Sequence, residues 1–115
     1  MSSPFTAVLD TLTKQRGVRA SLVVAAADGI AIDSNLQIGL DGSRVAALSA
    51  SLYRKARRSA QAAGLGETGF MQLEADSGRL CMIGGNEIVL VVVAESDSNV
   101  GLIRVEMLRA AEALA

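Results

Sequence analysis

The residue types able to do chemistry are few, and their surroundings narrow them further. Gly64-Leu65-Gly66-Glu67-Thr68-Gly69 matches the spacing G-x-G-x-x-G. A dinucleotide site needs that spacing after a strand and at the opening of a helix, where backbone N–H groups meet a phosphate. Here the segment follows a helical pattern and precedes a strand pattern. It is therefore read as a helix cap at Gly64 and a turn beyond it. No G-x-x-x-x-G-K-[ST] segment exists, so the chain carries no P-loop. With 0 His and 1 Cys, the common nucleophile–base pairs and zinc ligand sets are excluded. Cys81 lies between Leu80 and Met82, a setting for a buried structural thiol rather than a reactive one.

The carboxylates read as local structure. Asp28 and Asp33 flank a hairpin pattern, Asp41 opens a helix, and Glu74 and Asp76 border a turn. No pair shows acid–base spacing, although Asp and Glu alone leave that chemistry open. The expectation is no catalytic residue, no metal site and no cofactor. The strongest charged feature is Arg54-Lys55-Ala56-Arg57-Arg58. It reads as a solvated helix face or as a contact for an acidic partner surface. Nucleic acid fits it less well, since no aromatic residues interleave to stack on bases.

A chain of 115 residues has room for one domain, here residues 1–115. Half of it is hydrophobic and only 3% aromatic, namely Phe5, Tyr53 and Phe70, so the core must be aliphatic. The balance of 11 basic and 12 acidic residues lacks the electrostatic footprint of a nucleic-acid binder. A single cysteine fits a reducing compartment. Met1 to Phe5 shows no basic region followed by an apolar run, and the longest apolar run, Ile88 to Ala94, is too short to cross a bilayer as a helix. The expectation is a cytoplasmic protein without membrane insertion.

The elements that must position these residues follow from periodicity. Ser3 and Pro4 suit the start of a first helix, with Phe5, Val8, Leu9 and Leu12 on one face and Gly17 at its end. Arg19 to Ala27 reads as a strand and Ile30 to Ser34 as its return, joined by a two-residue turn at Asp28-Gly29. A second helix runs from Asp41–Ser43 to about Ala63. On a wheel of ~100° per residue, Val45, Ala46, Leu48, Ser49, Leu52, Tyr53, Ala56, Ser59, Ala60 and Ala63 share one arc. That arc spans ~160°, wider than the ~100° that packing on one surface requires. Three strands follow, at Thr68 to Glu74, Arg79 to Ile83 and Glu87 to Ala94, with turns at Asp76-Ser77-Gly78 and Gly84-Gly85-Asn86. The last strand is apolar throughout its middle and belongs at the sheet centre. A final helix starts near Ser98 or Asn99, with a stripe of Val100, Ile103, Met107, Ala110, Ala111 and Leu114. The fold class is α/β (α+β): helix, two strands, helix, three strands, helix. Short turns make the five-stranded sheet mainly antiparallel, with helices covering both faces.

With its Asp28-Gly29 turn, the stretch Gly17-Val18-Arg19-Ala20-Ser21-Leu22-Val23-Val24 resembles the opening hairpin of the Roadblock (dynein light-chain) family. Gly84-Gly85-Asn86 before an apolar strand resembles that family's final hairpin. The resemblance covers essentially the whole chain. Longin and profilin types share much of the layout, but do not usually place a long helix between the second and third strands in so compact an order. The resemblance implies a homodimer in which second helices pair antiparallel and third strands meet edge to edge. It also implies a role as scaffold or regulator of a small Ras-like GTPase, or as a light chain of a larger complex. The expected dimer interface is Val45, Ser49, Leu52, Tyr53, Ala56, Ala60 and the Phe70 strand edge; the expected partner-binding residues are Arg54, Lys55, Arg57 and Arg58. A sensory module holding a small ligand between sheet and helices is the alternative, and it would need polar groups pointing into a pocket.

Overall fold

The computed structural model describes residues 3–85 and 87–114. Its elements are α1 (Thr6–Thr13), β1 (Val18–Ala25), β2 (Ala31–Leu36), α2 (Gly42–Ala62), β3 (Phe70–Ala75), β4 (Gly78–Gly84), β5 (Ile88–Ala94) and α3 (Val100–Leu114). The strands form one sheet in the order β2-β1-β5-β4-β3, and every neighbouring pair is antiparallel. β5 lies at the centre with Val89, Leu90, Val91 and Val92 buried, as its unbroken apolar run requires.

Two cores sit on the two faces of the sheet. Leu9 and Leu12 of α1 and Ile103, Met107 and Ala110 of α3 pack with Val23, Cys81, Leu90 and Val92. Ala46, Ala50 and Tyr53 of α2 pack on Leu22, Val24, Met82, Val89 and Val91. Alternation along each strand sends neighbouring residues to opposite faces, so one strand feeds both cores. On the α1 face of the sheet, Ser21 is buried and polar. Its hydroxyl donates to the Leu9 carbonyl at 3.0 Å and lies 2.8 Å from Thr13 Oγ1, which ties α1 to β1.

The helix ends follow their local chemistry. Asp41 caps α2 by accepting from the Arg44 N–H at 3.2 Å. Its carboxyl is held below the usual range, first by the Ser43 hydroxyl and then by that N–H. At the other end Gly64 has φ +75°. Its N–H reaches the Gln61 carbonyl while the Leu65 N–H reaches Ala60, the paired bonds of a Schellman stop. Asn99 caps α3 by accepting from the Leu102 N–H at 3.1 Å.

Some boundaries differ from the sequence expectation. The first helix begins at Thr6 rather than at Pro4, because Ser3 closes a separate turn: its carbonyl accepts from Thr6 N–H and its hydroxyl from Phe5 N–H. That helix ends at Thr13, ahead of Gly17. The opening hairpin does not use a two-residue turn. Residues 26–30 form its loop, because the Ala26 N–H is taken by the Glu87 carbonyl on the β5 side. Gly29 (φ +75°) is required there twice over, since a Cβ would also lie 3.1 Å from the Ala47 Cα of α2. The third strand begins at Phe70 rather than Thr68. Of the Gly84-Gly85-Asn86 turn, Asn86 lies outside the described residues.

Gly84 has a stricter role. A Cβ at this position would fall 1.8 Å from Cζ of Tyr53, whose ring lies buried between α2 and the sheet. Gly84→Ala is therefore expected to destabilise the domain by about 1–3 kcal/mol through overpacking. Combining it with Tyr53→Leu should cost less than the sum of the two single changes. Thermal melting of the four proteins measures this, and additive losses would mean that the ring and the glycine do not meet.

Candidate partner-binding surface

The two edges of the sheet are unlike each other. In β2 the register jumps between Val23↔Asp33 and Val24↔Ala31, leaving Ile32 as an extra residue. Polar residues of that strand are also held from the α1 side: Asp33 by the Ser3 and Thr6 hydroxyls, Asn35 by Asp10 at 2.9 Å. A bulge and an inward carboxylate are devices that spoil an edge for further pairing. β3 has neither. Its ladder with β4 runs from Phe70↔Ile83 to Ala75↔Gly78 without interruption, and its outer edge is unpaired.

The face beside that edge is apolar. α2 packs chiefly on β2, β1, β5 and β4, so Leu73 of β3 remains 49% exposed. The wide arc read on α2 divides in two. Ala46, Ser49 and Tyr53, together with Ala50, which that arc omits, are buried on the chain's own sheet. Val45, Leu52 and Ala56 are half-buried and Leu48 is 64% exposed. At ~100° per residue these four form a second stripe beside the first; Val45 and Leu52 still touch the edge of the core under α2, while Leu48 stands clear of it.

Of the residues expected at a dimer interface, Val45, Leu52, Ala56 and Ala60 are half-buried and so is Phe70, whose ring lies 5.2 Å from the Arg104 guanidinium of α3. Ser49 and Tyr53 are at 1% and 3% exposure and face inward. Leu48 was on the arc but not among the expected contacts; its exposure is what singles it out.

The basic cluster divides as well. Arg54 donates from Nη1 to the Ala26 carbonyl at 2.6 Å, bracing the opening hairpin against α2. Arg57 pairs with Glu67 at 3.3 Å, across the glycine-rich turn. Both are half-buried, whereas Lys55 and Arg58 are exposed. Arg44, one residue type the cluster did not include because it lies ten positions earlier, is exposed on the same outer side of the helix. α2 contains five basic residues, Arg44, Arg54, Lys55, Arg57 and Arg58, and no acidic one.

The remaining candidates have local roles. The Gly64–Gly69 segment joins α2 to β3 and opens no helix. Asp28 accepts from the Ile30 N–H. Among the described residues, no group of three His, Cys, Asp or Glu is placed to hold a metal ion, and no helix is long and apolar enough to cross a membrane. Cys81 is fully buried. Desolvation pushes its thiol up, against a smaller opposing pull from Arg79. It is expected to react with a thiol reagent at least on the order of a hundredfold more slowly in the native chain than in the unfolded one, since a buried thiol reacts only through opening. Equal rates would place Cys81 at the surface.

The sequence profile of the Roadblock/LC7 domain matches residues 5–94. The chain belongs to the Roadblock/LC7 family. The uncharacterized protein MJ1340 of Methanocaldococcus jannaschii is 36% identical over 105 residues, which cover 91% of each chain. Among solved structures, Myxococcus xanthus MglB is similar with a TM-score of 0.88 and 27% identity, covering 97% of this chain and 92% of its own. A Roadblock/LC7 domain from Streptomyces avermitilis shares the fold with a TM-score of 0.83 and 20% identity, over 94% and 92% of the two chains. The Roadblock/LC7 order of elements is thus present along the whole described chain.

Proposed function

We propose that this chain is a non-catalytic, cytoplasmic homodimeric scaffold or regulator of a small Ras-like GTPase. The observation that carries the reading is the adjacency of an unpaired strand edge and a helix stripe that the chain's own core covers only in part. The uninterrupted β3 edge and the α2 stripe of Val45, Leu48, Leu52 and Ala56 share one side of the molecule. A second copy related by a two-fold axis would pair β3 with β3, extending the sheet, and lay α2 against α2. Isologous contacts of this kind need one self-complementary patch, and pairing would remove an edge otherwise open to aggregation.

The paired helices would carry Arg44, Lys55 and Arg58 from each subunit outward around Leu48. Such a surface suits an acidic partner and would steer its approach. The GTPase class rests on the family resemblance. Having no P-loop of its own, the chain would act by binding one state of its partner's switch segments better than the other. The test is titration of the dimer with a small Ras-like GTPase from the same cell, loaded in turn with GTP and GDP. A preference for one nucleotide state is expected. Equal affinity in both states would remove the regulatory part of the reading, and absence of binding would remove the GTPase.

A further inference from the structure

The α2 stripe occupies the flank of that helix nearer β3; the other flank, beside β2, is open as well. Between β2 and the first turns of α2 runs a groove of about 580 Å³. Ala31 and Leu36 of β2 line one wall, Ser43 and Ala47 of α2 line the other, and Asp28 and Ile30 line it at the hairpin loop. Walls of mostly short side chains leave room for an entering apolar one. Apolar surface continues along the same strand: Ile30, Ile32 and Ile38 are 63%, 47% and 103% exposed, the last in the loop from β2 to α2. Isoleucines gathered in this way mark an interaction site rather than scattered surface residues. The charge is of one sign. Between Arg19 and Arg44 the chain has three aspartates, Asp28, Asp33 and Asp41, and no basic residue. Asp28 and Asp41 are exposed. Arg44 stands on the outer side of α2 and Arg54 is held at the Ala26 carbonyl, and neither lines the groove.

We infer that this groove docks a short amphipathic helix of a partner protein, apolar on one face and rich in Lys or Arg beside it. Charge complementarity selects the sign, since an acidic segment would meet Asp28 and Asp41 while a basic one is drawn to both. That the occupant is a helix follows from β2. The bulge at Ile32 and the Asp33 carboxylate held by the Ser3 and Thr6 hydroxyls spoil the edge for an added strand, and leave the groove beside it. From Ala31 to Leu36 the wall is about 16 Å long at 3.3 Å per residue, which is about three helical turns at 5.4 Å each. Three turns present apolar anchors at i, i+3 or i+4, and i+7. β2 and β3 are opposite edges of the sheet, so pairing through β3 and α2 would leave one groove open at each outer end. The chain then offers surfaces of opposite sign to two different partners, basic outward along α2 and acidic beside β2.

The probe is a labelled synthetic helix of about four turns, with Leu on one face and Lys on the other. One control peptide has Glu in place of every Lys, and a second has the same composition in scrambled order. Fluorescence anisotropy with the full chain is expected to show one Lys peptide bound per chain, with a dissociation constant on the order of 10 µM. Both control peptides should bind at least about tenfold more weakly. Ala47→Arg, on an exposed helix site, puts a long cationic side chain into the groove and should weaken the Lys peptide at least about tenfold. Ile30→Ser should weaken it about threefold or more through lost apolar contact. Asp28→Asn with Asp41→Asn keeps both side-chain acceptors and should weaken it about threefold at low salt and little at high salt. Ala56→Glu, which bears on the α2 pair, should leave peptide binding unchanged, so the two readings fail separately. Lys-peptide binding that survives both Ala47→Arg and Ile30→Ser overturns the inference, as does equal binding of the three peptides or no binding at all. A sedimenting mass that Ala47→Arg lowers would make the occupant a second copy of the chain and overturn it too. Should Ala47→Arg lower the melting temperature, Ile30→Ser alone decides.

Discussion

Ala56→Glu is expected to separate the α2-paired homodimer into monomers. Ala56 is half-buried in the single chain and lies at the C-terminal end of the stripe, one turn beyond Leu52. In the paired state each new carboxylate would lie between two helices, near its symmetry mate and without a cation. A buried, unpaired charge costs several kcal/mol. Two such charges per dimer raise the dissociation constant by at least about a hundredfold, at 1.4 kcal/mol per factor of ten. The substitution should leave the fold intact, because glutamate is a good helix former and the site is partly open to water in the monomer. Lys55→Glu, on the exposed side of the same turn, is the matched control and should leave the dimer whole. Arg57 is less suitable for that purpose: reversing it would place a carboxylate against Glu67 and loosen the link between α2 and β3. Sedimentation of both proteins, with circular dichroism to confirm folding, measures the effect. A dimer that survives Ala56→Glu would place the contact elsewhere than on the stripe.

Reversing Lys55 and Arg58 together is expected to slow association with an acidic partner by roughly 10- to 100-fold at low salt. Both side chains are exposed, and in the dimer the change would remove four positive charges and add four negative ones. Because the effect is long-range, it should shrink as salt shortens the Debye length to ~8 Å and below. Dissociation rates should change much less than association rates. Arg54 belongs in a separate variant. Losing its bond to the Ala26 carbonyl would disturb the opening hairpin, so weaker binding there would mix packing with charge. Stopped-flow mixing at two ionic strengths separates these effects. Equal association rates for wild type and the double reversal would take the basic rows out of recognition.

What the sequence determined by itself was the order and type of every element. The period of 3.6 in Phe5, Val8, Leu9 and Leu12, and again along α2 and α3, needs no tertiary information, because a helix must bury one stripe. The uninterrupted run from Ile88 to Ala94 placed β5 centrally, since only a strand covered on both faces can be apolar on both. The glycine after α2 and the aspartate before it marked its ends, because capping is chemistry between near neighbours. The missing residue types excluded whole classes of catalytic and zinc site without reference to geometry.

Only the tertiary structure decided how the surplus apolar surface of α2 is divided. A wheel shows that Ser49, Tyr53, Val45 and Leu52 share an arc, but not how far round the sheet reaches. The approach of Gly29 to Ala47 and the room left by Gly84 for Tyr53 set the roll of the helix. That roll turns Ser49 and Tyr53 inward and leaves Leu48 out. It also draws Arg54 and Arg57 to partners at the hairpin and the following turn, 28 and 10 residues distant in sequence, which no local pattern encodes. The five-residue loop of the opening hairpin has the same cause, since the Ala26 N–H answers to Glu87, 61 positions along the chain. Local signals fix what a segment is. The partners available to its remaining polar and apolar groups come from elements far away in sequence, and those partners decided which side chains stay at the surface.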